Sequence, residues 1–93
     1  MKTSDSPLVS VILPTYNRGH SIAQAAKSVL EQSYSNLELI ICDDGSTDDT
    51  REVVSELNDS RIRYLESGAN RGAPAARNKG IIEAKGEIGR AHV

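Results

Sequence analysis

Two short apolar runs, LVSVIL (8–13) and LELIIC (37–42), constrain this chain more than anything else in it. Only Ser10 breaks the first run, and Leu39, Ile40 and Ile41 run through Cys42 without a turn signal in the second. Continuous apolar runs of this length fit strands covered on both faces, as in parallel sheets. Parallel neighbours need a crossover between them. The intervening residues supply one, because Ile22, Ala25, Ala26, Val29 and Leu30 recur at helical spacing between Ser21 and Gln32. The alternation then repeats. Val53, Val54 and Leu57 make one helix face, the stretch NDS (58–60) interrupts it, and RIRYLE (61–66) reads as a shorter strand with Ile62 and Tyr64 on one side. Pro74 suits the first turn of a third helix whose small-residue face is Ala76, Gly80, Ile81 and Ala84. The expected fold is α/β, a parallel three-stranded sheet with alternating helices.

In such a sheet every strand-to-helix loop opens on the same edge, and ligands bind at the carboxyl ends of the strands. Three polar loops fall there: PTYNRG (14–19), DDGST (43–47) and NRGAP (70–74). The second poses a specific problem. A strand that reads as fully buried ends on two carboxylates, Asp43 and Asp44, and buried charge is costly unless it is paired or solvated. A ligand is one answer, and a turn stabilised by the carboxylates themselves is the other.

Composition narrows the choices. The 93 residues make one small domain, with a net charge of −2 and interspersed signs, which argues against a nucleic-acid binder. A single cysteine excludes an internal disulfide and a Cys-based zinc site. The start, MKTSDSPL, has no apolar core and is not a secretory signal, and no run approaches the roughly 20 apolar residues of a membrane span. A soluble cytoplasmic protein is expected, with residues 1–7 a disordered lead. Phe and Trp are absent, so the core must be aliphatic.

Among the loop residues, Tyr16 can stack its ring on a planar base, or merely cover the sheet edge. Arg18 can meet phosphate, but reads more simply as a solvated cation. Asp44, an acceptor when ionised, suits ring N–H or ribose hydroxyl donors and would repel phosphate. Asp43 is expected to hold the loop through backbone donors. Ser46 is the expected cap of the second helix, with Asp48 and Asp49 as acids of its first turn, favoured by the macrodipole. Asn70 can donate or accept. Arg77, about one turn into the third helix, can offer its fork to phosphate oxygens or form a surface ion pair. Asn78 and Lys79 point elsewhere round that helix, and one of them can pair with the acids. Cys42 reads as a small buried hydrophobe and His20 as solvent-facing. No catalytic triad, calcium-loop spacing or GxGxxG motif is present, and no catalytic residue or metal ligand is assigned.

Three blocks in order, VSVILPTYNR, VLEQSYSNLELIICDDGSTDDT and NRGAPAARNKGIIEAKGE, resemble the family 2 glycosyltransferases over nearly all of residues 8–87. The resemblance implies the N-terminal, donor-nucleotide-binding part of a GT-A (Rossmann-like) domain, a nucleotide-diphospho-sugar donor and an inverting sugar transfer. It implies that Pro14 and Tyr16 border the base, that Asp44 bonds base or ribose, and that Asn70 and Arg77 lie along the nucleotide and its phosphates. Uridine is the expected base. The family continues past AKGE with an apolar strand, a D-x-D-type motif for a divalent metal (Mg or Mn), an acceptor site and a catalytic base. None of these is in this sequence, so a truncated chain that is inactive alone is expected. The acceptor is left open among saccharide, lipid and protein. The competing reading is a stand-alone nucleotide-binding module without chemistry. A nucleotidyltransferase ranks last, because PTYNRG is not a Gly/Arg/Lys-rich loop.

The final residues, IGRAHV (88–93), put glycine and charge where a fourth apolar run is due. The codons ATC GGA AGA GCA CAC GTC encode this hexapeptide and read through a common sequencing adapter, so residues 88–93 are expected to be a non-native read-through tail.

Overall fold

The computed structural model describes residues 7–32, 34, 36–67 and 72–90. Strand β1 (Val9–Thr15) is followed by α1 (Ile22–Leu30), β2 (Leu37–Asp43), α2 (Thr50–Leu57), β3 (Ile62–Glu66), α3 (Ala73–Glu83) and β4 (Glu87–Arg90). The strands form one sheet in the order β3-β2-β1-β4, and every neighbouring pair is parallel. The alternating α/β architecture is the one the apolar runs predict.

Side-chain alternation along the strands divides the core in two. On one face Val11, Leu13, Leu39 and Ile41 pack with Ile22, Ala26 and Val29 of α1 and Val54 of α2. Ile62 and Tyr64 share that face, as expected. On the other, Ile12, Ile40 and Cys42 meet Ala76 of α3. Every residue of β2 is buried, so Leu39, Ile40 and Ile41 each contribute about 1.5–3 kcal/mol. Cys42, 1 % exposed, behaves as the hydrophobe its setting requires, and burial pushes its thiol up to about 11. Close packing of α3 depends on Gly80. A Cβ there would sit 2.4 Å from the Cys42 Sγ and 3.2 Å from an Ile12 methyl. Ile81, expected on the same small face, is instead 38 % exposed.

The edge opposite the loops is held by a buried carboxylate. Glu38, 8 % exposed, accepts hydrogen bonds from Ser10 Oγ (2.6 Å), the Lys85 N–H (2.8 Å) and Arg63 (3.4 Å). The Gly86 N–H donates to Ser10 Oγ (2.8 Å), and Arg63 also donates to the Glu83 carbonyl at the end of α3 (2.8 Å). Burial alone would raise the Glu38 pKa; the bonds from Ser10, Lys85 and Arg63 outweigh it and leave it lowered. The AKGE turn is thereby fastened to β1 and β2, and β4 starts from a fixed point.

Three details differ from the sequence expectation. The sheet has a fourth strand. Residues 87–90 lie beside Val9–Ile12 of β1, so the first three residues of the expected tail are strand. A backbone ladder at the margin of a sheet does not require an apolar run. Pro14 lies inside β1 rather than ending it. Backbone bonds from the Val9 N–H and to the Thr15 carbonyl both run to the β2 side, so the donor that Pro14 lacks would point the other way, beyond the last β4 residue paired with β1. Ser46 does not cap α2; the helix starts at Thr50 with Asp49 at the N-cap position, and Asp48 and Asp49 precede it. At the other end of α2, Asn58 takes a left-handed conformation (φ 53°), the stop that NDS predicts.

Candidate functional site

At the loop edge the β1–β2 ladder runs one step past the strands, with the Asp44 N–H bonded to the Thr15 carbonyl at 2.9 Å. Asp43 and Asp44 leave this point in opposite directions. Asp43 is 1 % exposed and accepts from the Ser46 N–H (2.9 Å), the Ser46 hydroxyl (2.6 Å) and the Tyr64 hydroxyl. It closes the turn over Gly45 (φ 85°) and ties it to β3, the loop-holding role expected of it. Burial, with the bond to Asp43 and that carboxylate's charge, pushes the Tyr64 hydroxyl far above its ordinary range.

Asp44 is 4 % exposed and accepts the Gly72 N–H at 2.7 Å, at the N-cap of α3, with the Ser67 hydroxyl at 3.5 Å. Its carboxylate therefore sits at a helix N-terminus, where the macrodipole favours negative charge. Asp44 also lines a cleft of about 230 Å³ with Pro14, Thr15, Tyr16 and Arg18. The Tyr16 ring is 40 % exposed beside it. A second, larger cleft of about 680 Å³ shares Pro14, Thr15 and Arg18 and runs along α1 past Ser21 and Gln24.

Three of the predicted residues, Pro14, Tyr16 and Asp44, thus surround one cleft. Arg77 is on α3, whose start is bonded to Asp44, but it does not line that cleft. Asn70 lies outside the described residues. Arg18 is exposed yet borders both clefts. Lys79 does not pair with the loop acids; its ammonium donates to the Glu66 carbonyl at 3.0 Å. His20 is exposed, as expected.

Sequence reasoning missed a set of residues between the first two loops. Asn17 has a left-handed backbone (φ 51°), and its side-chain oxygen accepts from the Thr47 N–H at 2.8 Å. Ser46, Asp48 and Thr50 receive N–H groups from the first loop. Bonds from the Thr50 hydroxyl, the Gly19 N–H and the Thr50 N–H hold Asp48 below the usual carboxylate range. The one available signal was Asn followed two residues later by Gly in PTYNRG, since Asn tolerates positive φ. Thr15 was missed too. It is 6 % exposed and its Oγ1 is the buried side-chain oxygen without a partner among the described residues.

The described residues do not suit a divalent cation. No group of three or more His, Cys, Asp or Glu could hold one among them. The loop carboxylates of Asp43, Asp44 and Asp48 each face protein donors. Among the described residues, no helix is long and apolar enough to cross a membrane.

A sequence model of glycosyl transferase family 2 matches residues 10–89. The chain belongs to this family. It is 48 % identical over 84 residues to an Escherichia coli enzyme, UDP-Glc:alpha-D-GlcNAc-diphosphoundecaprenol beta-1,3-glucosyltransferase WfgD, covering 90 % of this chain and 33 % of the enzyme. It is 44 % identical over 86 residues to the putative teichuronic acid biosynthesis glycosyltransferase TuaG of Bacillus subtilis, covering 90 % of this chain and 34 % of TuaG. Among solved structures, a mannosyltransferase from Pyrobaculum calidifontis in complex with GDP-Man and Mn2+ superimposes with a TM-score of 0.80 at 33 % identity, over 91 % of this chain and 27 % of that one. The chain spans about a third of the length of the curated relatives it matches. The GT-A fold expected from the motifs is thus found in the structure over that partial region.

Proposed function

We propose that this chain binds the nucleotide of a nucleotide-diphospho-sugar and forms the donor side of an inverting sugar transfer. The observation that carries the reading is the convergence of Pro14, Tyr16 and Asp44 on one cleft at the carboxyl edge of a parallel sheet. Tyr16 stacks on the base. Asp44 keeps its bond to Gly72 and still accepts from base or ribose, because an ionised carboxylate has about four lone-pair sites. Asn70 and Arg77, from the third loop and α3, follow the phosphates. The base is uridine, in keeping with the UDP-Glc in the name of the Escherichia coli relative.

The described residues do not make a cation site. Metal assistance in such transfers is worth several kcal/mol and a general base about 10²–10⁴-fold. With neither assigned to a residue here, the chain alone binds donor without transferring sugar.

Calorimetry with uridine diphosphate and guanosine diphosphate tests the reading. Removing the stacked ring with Tyr16→Ala costs about 1–3 kcal/mol, or about 5- to 150-fold in affinity. Asp44→Asn, which retains an acceptor for Gly72, and Arg77→Ala each weaken binding as well. Unchanged affinity in all three variants defeats the proposal.

A further inference from the structure

The first two loops are zipped together by bonds that run in both directions. Three successive N–H groups of the β1–α1 loop have receivers in the β2–α2 loop or at the first residue of α2: Asn17 donates to Ser46 Oγ (2.8 Å), Arg18 to Thr50 Oγ1 (3.1 Å) and Gly19 to Asp48 Oδ2 (3.0 Å). In return, Asn17 Oδ1 accepts from the Thr47 N–H (2.8 Å), the Asp48 N–H (3.3 Å) and the Thr47 hydroxyl (3.4 Å). The Ser46 hydroxyl that receives the Asn17 N–H donates in turn to Asp43, which holds Tyr64 of β3. One hydrogen-bonded path therefore joins β3 to the first loop. Asn17 is its last member, and it both donates to the second loop through its N–H and accepts from it through its side chain. Its positive φ (51°) turns the chain at that point, a conformation Asn and Gly accept more readily than other residues.

Asn17 does not line the cleft, but its neighbours Tyr16 and Arg18 do. We infer that Asn17 is a positioning residue: its amide locks the first loop to the second and so sets Tyr16 and Arg18 in place opposite Asp44 before the nucleotide arrives. Pre-organisation of this kind raises affinity by reducing the ordering that binding requires. The role rests on the nucleotide-binding reading above, and the test separates the two.

The variants are Asn17→Gly, which keeps the backbone turn and deletes the amide, and Asn17→Asp, which keeps an oxygen where three donors converge. Two readouts are taken on the whole chain: amide hydrogen exchange at Arg18 and Gly19 without ligand, and affinity for uridine diphosphate. In Asn17→Gly, exchange at these two amides rises about tenfold and affinity falls about tenfold, while the melting temperature changes little. Asn17→Asp recovers most of both. The inference is overturned by unchanged exchange in Asn17→Gly, by faster exchange at unchanged affinity, or by an Asn17→Asp variant no better than Asn17→Gly. A wild-type chain that binds no nucleoside diphosphate defeats the nucleotide reading and this role with it. A wild type that binds, with Asn17 variants that bind equally well, defeats this role alone.

Discussion

Replacing Glu38 by alanine should come close to unfolding this domain, although Glu38 lies at the sheet edge away from the candidate site. The carboxylate is 8 % exposed and holds the Ser10 hydroxyl and the Lys85 N–H, at 2.6 and 2.8 Å. The buried Ser10 hydroxyl left without an acceptor costs about 1–3 kcal/mol, and the Lys85 N–H, whose bond is part-buried, adds less. Arg63 adds little, because it keeps the Glu83 carbonyl and carboxylate. The side chain also buries methylene groups worth about 0.8 kcal/mol apiece. The expected loss is about 3–5 kcal/mol, against a total of about 5–15 kcal/mol for a typical domain. A domain of this size loses about 4–8 °C of Tm per kcal/mol, so the shift is about 12–40 °C. The effect depends on pH in a definite direction. The folded-state pKa of Glu38 lies below its ordinary value of 4.5, so the folded state favours the ionised form. Its contribution is complete above the ordinary value and disappears as pH falls through the lowered one. Urea unfolding followed by circular dichroism, at pH 7 and again below pH 4, measures both parts. A Glu38→Ala variant within about 1 kcal/mol of wild type at pH 7, or a deficit of equal size at both pH values, would refute the reasoning.

Three further outcomes are expected. Gly80→Ala should destabilise by about 1–3 kcal/mol in the same unfolding assay despite the better helix propensity of alanine, because its Cβ meets the buried Cys42 Sγ. Cys42, with its thiol pushed up to about 11 and buried, should stay unlabelled by a thiol reagent at pH 8 in the folded chain and react on unfolding. Genomic resequencing beyond Gly86 with a different library chemistry should depart from IGRAHV if that hexapeptide comes from an adapter; the same six codons in genomic DNA would end that proposal.

What was legible beforehand follows from the kind of force involved. Burial of Leu39, Ile40 and Ile41 is written in their side chains, so the sheet, its parallel order and the loop edge could be read directly. The fourth strand could not, because residues 87–90 join through backbone groups that every residue carries. The end of β1 was misplaced for a related reason. Proline breaks a ladder only on the side where its N–H would have been used, and that side is known only once the strands are ordered. The carboxylates at the end of β2 announced that they needed partners without naming them. Tyr64 is 21 residues from Asp43 and Gly72 is 28 from Asp44, distances over which sequence spacing carries no information. The Asn17 bonds were hidden in the same way, reaching 30 residues to Thr47.

The proposed nucleotide site is shared by the three strand-to-helix loops. Titrating the ¹⁵N-labelled chain with uridine diphosphate, and following its amide resonances by NMR, tests that most directly. Saturable shifts concentrated at Tyr16, Arg18, Asp44 and Gly72 are predicted. No shifts at millimolar nucleotide, or shifts confined to residues away from that edge, would contradict it.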